Sequence, residues 1–347
     1  MQAKHSCIMT SRELVNATFE FRNNGRVPRQ MYASPWALIY HEADVEKIRC
    51  EFPNDIISSP AFYKTPPVTK GEVTEPGEFF DEWGCTFINY QRGITGEVKN
   101  PPITGDEWEN MGTFRLPWEI HSIDKEKINE FCAGTDKYVS SGYNIHPFEQ
   151  LQFLRGTEQL YIDLMLKPKK FMETLEEIHD FYCKLVTKWA ETDVDGISLM
   201  DDWGSQRSLL INPTIWVEIF KPMYKDYISI AHKHGKKVKM HSDGYILDII
   251  PHLIDVGLEA VNAQIFCMGM DKLKQFRGDI TFWGEIDRQD LLPNGSTEDI
   301  KKAVLSVREK LWKSGGCIAH CEFGPSAKPE NVYQVFKTWE DSGLCHM

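Results

Sequence analysis

The second half of the sequence places metal-binding residue types at the ends of short runs that resemble β-strands. His241 follows the run KKVKM, Glu285 follows DITFWG, and Cys321 follows GGCIAH. A catalytic zinc ion commonly takes three protein ligands drawn from His, Cys, Asp and Glu, and it keeps one position open. One ligand of each of three kinds, from three separate runs, predicts a zinc site formed by His241, Glu285 and Cys321.

The prediction of this zinc site rests only on where the three residues lie in the sequence, because no compact C-x-x-C or H-E-x-x-H motif is present. His241 could instead be a hydrogen-bonded histidine at the end of a strand. Asp243, two residues further on, has three possible roles. It could be a fourth ligand, it could orient the His241 imidazole, or it could cap the helix that begins after Gly244.

Two adjacent carboxylates, Asp201 and Asp202, follow another apolar run, VDGISLM. Side chains alternate along a strand, so only one of the two points toward a barrel axis, and we expect the other to be structural. The inward carboxylate could act as a general acid or accept a substrate hydroxyl group. Asp201, Asp202 and Asp243 are therefore the candidate catalytic residues.

Three further residues lie beside these strand ends and are candidates for binding the substrate. Trp203 follows the two aspartates, Trp283 precedes Glu285 by two residues, and Gln264 ends the run LEAVNAQ. Large aromatic side chains in a protein of this size are more often ordinary packing. The two tryptophans are singled out because of their position.

The elements that must position these residues alternate between strand and helix. Each apolar run is followed by a helical pattern, such as the segment 213–234, with Asn212 as its cap and Gly235 after its end. This alternation predicts parallel βαβ units and a single (β/α)8 TIM barrel over residues 1–347. In that fold the chemistry lies at the carboxyl ends of the strands. The N-terminal third is rich in Pro, Gly and aromatic residues, so we expect a strand or two with long loops and hairpins over the barrel mouth.

Composition narrows the possible partners and compartment. The 347 residues include 51 acidic and 39 basic side chains, with a formal net charge of −12, which argues against nucleic acid or an anionic membrane surface as the main partner. No apolar run approaches the length of about 18 residues that a membrane span needs. Nine cysteines without a C-x-x-C pair are typical of a reducing compartment, so we expect a cytoplasmic protein.

Several motifs together resemble the uroporphyrinogen decarboxylase superfamily. They are KMHSDGYILDIIPHLIDVGLEAVN, FWGEIDRQDLLPNGSTEDI and PSAKPENV, and the resemblance covers about residues 137–340 well. It implies a (β/α)8 barrel. The decarboxylases of this superfamily need no cofactor and bind an acidic tetrapyrrole through an R-Q-A-G-R motif. This chain has GRVPRQMYAS instead, which supplies Arg26 and Arg29 without the motif.

The second branch of the superfamily is more similar to this chain. It contains zinc-dependent methyltransferases that act with corrinoid proteins, and its coenzyme M members bind zinc with an H-x-C pair and a distant Cys. His241 matches the His and Cys321 matches the distant Cys. Asp243 replaces the nearer Cys, and Glu285 replaces a Gly.

The resemblance and these replacements together imply a function. A carboxylate in place of a thiolate makes bound zinc harder, which suits an oxygen leaving group better than a thiol nucleophile. The expected activity is transfer of a methyl group from a methoxylated aromatic compound to the cobalt(I) of a partner's cobalamin (corrinoid) cofactor. The alternatives are a cofactor-free decarboxylase of tetrapyrrole biosynthesis and a non-catalytic subunit that docks a corrinoid protein.

Overall fold

The protein is a (β/α)8 barrel, seen here in a computed structural model that describes residues 9–105, 108–142 and 144–344. Parallel strands form a six-stranded sheet in the order β10-β9-β8-β7-β6-β2 and a two-stranded sheet of β1 and β11. Parallel bridges from Phe282 to Cys317 and from Glu285 to His320 join the two sheets on one side. On the other side the Asp55 N–H donates to the Arg29 carbonyl over 2.9 Å. The predicted fold is confirmed.

The strands of the barrel and of a small antiparallel sheet have the following bounds: β1 Arg29–Ala33, β2 Ile56–Ser58, β3 Gly77–Phe80, β4 Thr86–Asn89, β5 Glu97–Val98, β6 Tyr138–Ser140, β7 Gly196–Met200, β8 Lys237–Ser242, β9 Ala260–Ala263, β10 Thr281–Gly284 and β11 Ala319–Phe323. Strands β3, β4 and β5 form the antiparallel sheet, which is inserted between β2 and β6 and is not part of the barrel. It corresponds to the predicted hairpins.

The helices have the following bounds: α1 Ser11–Phe19, α2 Pro35–Tyr40, α3 Glu42–Glu51, α4 Lys125–Ala133, α5 Pro147–Arg155, α6 Thr157–Leu166, α7 Lys169–Ala190, α8 Pro213–Ile215, α9 Lys221–Lys233, α10 Ile250–Asp255, α11 Ile265–Met268, α12 Met270–Leu273, α13 Leu291–Asn294, α14 Thr297–Leu311 and α15 Pro329–Leu344. None of the described helices has the length and apolar content to cross a membrane.

Local sequence features explain where several helices begin and where they are interrupted. The Asn212 side chain accepts from the Thr214 N–H, and the predicted helix continues from α8 through a π-helical turn, Trp216–Phe220, into α9. Gly156 has φ +80° and separates α5 from α6. A side chain at a positive φ is strained, so glycine is well suited to this break.

The first third is more helical than its composition predicts. Thr10 accepts from the Glu13 N–H while the Glu13 side chain accepts from the Thr10 N–H, a capping box that begins α1. Ser34 caps α2, which has Pro35 in its first turn. These short polar cap signals are easily missed among the Pro-rich and aromatic loops that surround them.

The floor of the barrel interior is closed mainly by apolar side chains, with the buried Lys239 ammonium 4.0 Å from the centre of the Trp283 ring. Residues Ile56, Tyr138, Ala260, Trp283 and Ile318 pack together there with Val15 and Phe19 of α1. The mouth at the carboxyl ends of the strands is consequently the accessible part of the barrel interior.

Candidate metal and proton-transfer site

Two neighbouring strand ends bring together three donors that could hold a metal ion. Asp202 follows β7, His241 lies near the end of β8, and Asp243 follows β8. One ligand atom from each lies within 4.8 Å of the others, and among the described residues this is the one such group of three. Nε2 of His241 is 3.5 Å from Asp243 Oδ1 and 3.8 Å from Asp202 Oδ1.

Asn262, at the third residue of β9, orients the His241 ring. Its Oδ1 lies 2.6 Å from His241 Nδ1, and its amide donates to the Trp283 carbonyl over 2.6 Å. The amide donation fixes which way the Asn262 side chain points, so Oδ1 must accept from Nδ1–H. That contact leaves Nε2 as the histidine nitrogen that faces the two aspartates.

The Asp243 carboxylate is shared between this group and a cation. Arg288 donates to Asp243 Oδ2 and, through its other terminal nitrogen, to Glu322. Its Nε lies 3.8 Å from Glu285. By contrast, Asp243 Oδ1 is buried and has no hydrogen-bond partner, as is true of Glu285 Oε2. A buried carboxylate oxygen without a hydrogen bond is costly unless a cation lies close to it, and for Asp243 Oδ1 the His241 imidazolium is that cation.

The electrostatics of the mouth are dominated by its acids. Burial is the largest single effect on His241 and lowers its pKa, but its close contact with Asp243 and the charges of Glu285, Asp243 and Asp202 outweigh it and raise the pKa to about 10. Burial and the charge of Asp243 raise the pKa of Asp202. The imidazolium of His241 thus compensates the carboxylates in a protein without metal.

A further acid, Glu149, lies in the first turn of α5 and belongs to the same mouth. Burial, followed by the charge of Asp202, raises the pKa of Glu149 to about 7. Its Oε2 lies 3.7 Å from Nδ1 of His146. Burial lowers the pKa of His146 to about 4, so this neighbour is neutral near pH 7.

Asp201 takes the structural position that the alternation of side chains leaves for one of the two aspartates. It is fully buried, and its carboxylate accepts from the Glu149 N–H over 2.8 Å and from the Tyr224 hydroxyl over 2.5 Å. The Asp202 side chain is 38% exposed. Asp202 therefore faces the mouth while Asp201 faces the packing between β7, α5 and α9.

The predicted ligands Glu285 and Cys321 are not brought together with His241 in the same way. Glu285 is buried beside Arg288, and its Oε1 is 3.7 Å from Nε2 of His320. Cys321 lies in the main hydrophobic core on the opposite face of β11 from His320, and burial followed by the charge of Glu285 raises its thiol pKa well above the usual value. Zinc ligation by Glu285 and Cys321 stays a prediction.

Of the predicted substrate-binding residues, one lines an open cavity. Trp203 is fully buried, stacks on Phe148 with ring centroids 4.1 Å apart, and donates to the Tyr224 hydroxyl. Trp283 is fully buried in the floor of the barrel. Gln264 lines a cavity of about 340 Å³ next to the candidate metal ligands Asp202, His241 and Asp243. The cavity is formed by residues Gln206, Gln264, Phe266, Cys267, Glu285, Ile286, Asp287, Arg288, Gln289 and Asp290.

The arginines near the N-terminus lie at the opposite end of the barrel from the mouth. Arg29 begins β1 and pairs with Glu340 over 3.5 Å. Arg26 binds both oxygens of Asp55 over 2.6 Å. Neither guanidinium lies where a tetrapyrrole carboxylate would meet the strand-end residues.

Sequence reasoning missed Glu149, Asn262, Arg288 and Glu322. Asn262 lies two residues before Gln264, and alternation along a strand could have placed it on the same face. Arg288 stands three residues after Glu285, in GEIDRQ. Glu149 carries no local signal, because its place at the mouth depends on how the first turn of α5 packs beside the end of β7.

Residues 88–341 match the family model of uroporphyrinogen decarboxylase (URO-D). No curated protein sequence matches the chain. Among solved structures, a methyltransferase from Methanosarcina mazei is similar with a TM-score of 0.69 and 14% identity, covering 96% of this chain and 99% of that chain. A glycosylated endo-β-1,4-xylanase from Gloeophyllum trabeum has a TM-score of 0.42 and 9% identity, covering 94% and 98%. At such identities the likeness to the methyltransferase concerns the fold.

Proposed function

The chain belongs to the uroporphyrinogen decarboxylase family, and we propose that it is a zinc-dependent methyltransferase of that family. In this proposal it moves a methyl group from a small methyl ether, best a methoxylated aromatic compound, to the cobalt(I) of a corrinoid protein. The likeness of fold to a methyltransferase from Methanosarcina mazei supports this choice over decarboxylation. The position of Arg26 and Arg29 away from the mouth supports it as well.

The observation that carries the proposal is the convergence of Asp202, His241 and Asp243, in which the buried Asp243 Oδ1 has no hydrogen bond. Carboxylate and imidazole donors suit zinc, and three protein ligands leave a position for the substrate. Asn262 holds the tautomer in which Nε2 of His241 faces that position. The donor set fits the metal, although it differs from the ligands that the sequence predicts.

The chemistry expected of this site follows from its donors. When bound, zinc would act as a Lewis acid toward the ether oxygen as negative charge develops on it. The protein's own contribution is to hold the carboxylates of Asp202 and Asp243 in place and, through Asn262, to orient Nε2 of His241 toward them. Arg288 restrains Asp243 from the other side. The adjacent cavity, with Phe266 on its wall, could receive an aromatic ring.

The methyl acceptor must reach the same mouth. A cobalt ion in a corrinoid carried by a partner protein can approach from the carboxyl ends of the strands, where the three donors lie. The many cysteines without a C-x-x-C pair support a reducing compartment, and we place the reaction in the cytoplasm.

The experiment that tests the proposal combines metal analysis with a spectroscopic assay. Purified protein should hold about one zinc ion per chain. With cob(I)alamin kept reduced by titanium(III) citrate, addition of anisole or 2-methoxyphenol should convert the cobalt(I) spectrum to that of methylcobalamin. Dialysis against a chelator should stop the conversion, and added zinc should restore it. Full activity in the chelated protein, or no conversion with any methoxylated aromatic compound, would overturn the proposal.

A further inference from the structure

We propose that Glu149 is the proton donor to the leaving oxygen, and that Asp201 is the positioning residue that holds Glu149 at the mouth. This inference rests on the proposed cleavage of a methyl ether. It assigns a chemical task to a helix residue and a structural task to the aspartate that the sequence ranks with the catalytic candidates.

Glu149 has the position that the task requires. It lies in the first turn of α5, beside the end of β7, because Asp201 accepts from its backbone N–H over 2.8 Å, and its side chain is 20% exposed. The charge of Asp202, followed by those of His241 and Asp243, acts on its carboxyl group. We place that carboxyl group beside an oxygen that the three donors would surround.

Asp201 ties this helix turn to the metal-binding strand. Its carboxylate accepts from the Glu149 backbone N–H over 2.8 Å and from the Tyr224 hydroxyl over 2.5 Å, and the Tyr224 oxygen accepts from Nε1 of Trp203 over 3.1 Å. Since Asp202 is the next residue along the chain, one dipeptide fixes both the proton donor and a metal ligand. The fully buried Asp201 has no route to the substrate itself.

The protonation state of Glu149 is suited to the task. Burial is the largest cause that raises its pKa to about 7, followed by the charge of Asp202. Among the described residues, the basic group within 4 Å of Glu149 is His146, which is neutral near pH 7. A carboxyl group with a pKa close to the working pH is an effective general acid.

The other acids of the mouth are engaged differently. Glu322 accepts from Arg288, and Glu285 lies 3.8 Å from the same guanidinium and 3.7 Å from His320. The Arg288 guanidinium therefore engages both side chains, even though burial raises the pKa of Glu322. Asp202 and Asp243 belong to the metal-binding group. In the described part of the chain, Glu149 is left as the acid of the mouth that neither Arg288 nor the metal-binding group engages.

The step balances in atoms and electrons. The bond between the methyl carbon and oxygen breaks, and its electron pair stays on oxygen. The electron pair of cobalt(I) forms the new bond to the methyl carbon. The proton of the Glu149 carboxyl group passes to the oxygen, so the products are a phenol, a methylated corrinoid and the Glu149 carboxylate, which solvent reprotonates.

The test compares leaving groups in Glu149→Gln and in a control, Glu158→Gln, which alters an exposed glutamate of α6. Anisole and 4-cyanoanisole serve as methyl donors and cob(I)alamin as the acceptor. Glu149→Gln should lose about 100-fold in rate with anisole, the usual scale for a general acid. It should lose far less with 4-cyanoanisole, because the cyanophenolate is stable without a proton. The control should match the unaltered protein with both donors.

Two measurements separate a proton donor from a metal ligand or a structural residue. Zinc per chain should be unchanged in Glu149→Gln. Calorimetry of phenol binding in two buffers with different heats of ionisation should show more proton release by Glu149→Gln than by the unaltered protein, in which Glu149 retains the phenolic proton. Asp201→Asn and Tyr224→Phe should shift the leaving-group dependence in the same direction by about 10-fold.

The outcomes are distinct. Loss of zinc in Glu149→Gln, or an unchanged ratio of rates between anisole and 4-cyanoanisole, overturns the role of Glu149. Asp201 variants that melt near the unaltered protein and keep its leaving-group dependence overturn the positioning role. If they fail to fold, Tyr224→Phe decides that role. Absence of methyl transfer by the unaltered protein from any anisole overturns the proposed function, and this inference with it.

Discussion

Oδ1 of Asp243 lies 3.5 Å from Nε2 of His241, buried and without a hydrogen-bond partner, while the other oxygen of the same carboxylate accepts from Arg288. The pair is close but not hydrogen-bonded in good geometry. Such an arrangement is expected of two side chains that bind the same ion. A metal ion that also contacts Asp202 would be a ligand partner for both side chains.

The first prediction concerns this pair. His241→Ala should lose its zinc, because an alanine offers no donor, and Asp243→Asn should weaken zinc binding because an amide oxygen is a poorer ligand than a carboxylate. His234→Ala, at an exposed histidine beyond α9, is the control. Zinc per chain after gel filtration is the measurement. Full zinc in His241→Ala would leave only the interpretation of a hydrogen-bonded histidine at the end of a strand.

The second prediction concerns Asn262, which contacts the ring of His241 and is not one of the three candidate metal ligands. Asn262→Ala should weaken zinc binding by about 10- to 100-fold, because the imidazole loses the acceptor that fixes its orientation and tautomer. Asn294→Ala, at an exposed site, is the control. Competition with a chromophoric chelator gives the affinities. Equal affinities for the two variants would mean that the contact between Asn262 and His241 has no part in holding the metal.

The third prediction separates the two possible ligand sets. If zinc is held by Asp202, His241 and Asp243, Cys321→Ser should keep its zinc, and Cys317→Ser, at another buried thiol, should behave alike. Elemental analysis of both variants is sufficient. Selective loss of zinc from Cys321→Ser would restore the set that the sequence predicts and would require β11 to turn its thiol toward the mouth when metal binds.

The sequence predicts the barrel well because its signals are repeated. Each apolar run in the second half ends in the structure within about two residues of the polar residue expected to follow it, as at Met200 and Gly284. Parallel strands then bring their carboxyl ends to one edge whatever the details of the loops. His241, Asp202 and Asp243 could be placed together on that basis.

The sequence predicts less well which way each strand-end side chain points and which residues it contacts. Which of Asp201 and Asp202 points inward depends on the twist of β7 and on Tyr224, which lies in α9 and offers a partner to one of them. The guanidinium of Arg288, which lies in a loop, contacts three carboxylates, and no periodic pattern in the sequence predicts these contacts. Tertiary packing rather than local sequence decides these contacts.

The last prediction concerns stability at the far end of the barrel, where Asp55 joins β2 to the N-terminal segment. Its carboxylate accepts from Arg26 through both oxygens over 2.6 Å, from the Ser11 hydroxyl over 2.6 Å and from the Arg29 N–H over 2.9 Å. Burial alone would raise the pKa of Asp55, but the hydrogen bonds and charge of Arg26 outweigh it and hold the pKa below its usual value.

The sign of the pH dependence follows. Because the folded protein binds this proton more weakly than the unfolded chain, the contribution of Asp55 is complete above the unfolded pKa of about 3.9 and is lost as the pH falls through the lower folded value. Asp55→Asn should therefore cost about 2 kcal/mol at pH 7, and the gap to the unaltered protein should narrow below about pH 4. The figure is modest because the Arg26 side chain is 44% exposed. Glu20→Gln, in an exposed pair with Arg22, should change little at either pH. Urea unfolding at pH 7 and near pH 3.5 measures both variants, and a gap for Asp55→Asn that persists undiminished at the lower pH would show that the ionised carboxylate is not what stabilises this end of the barrel.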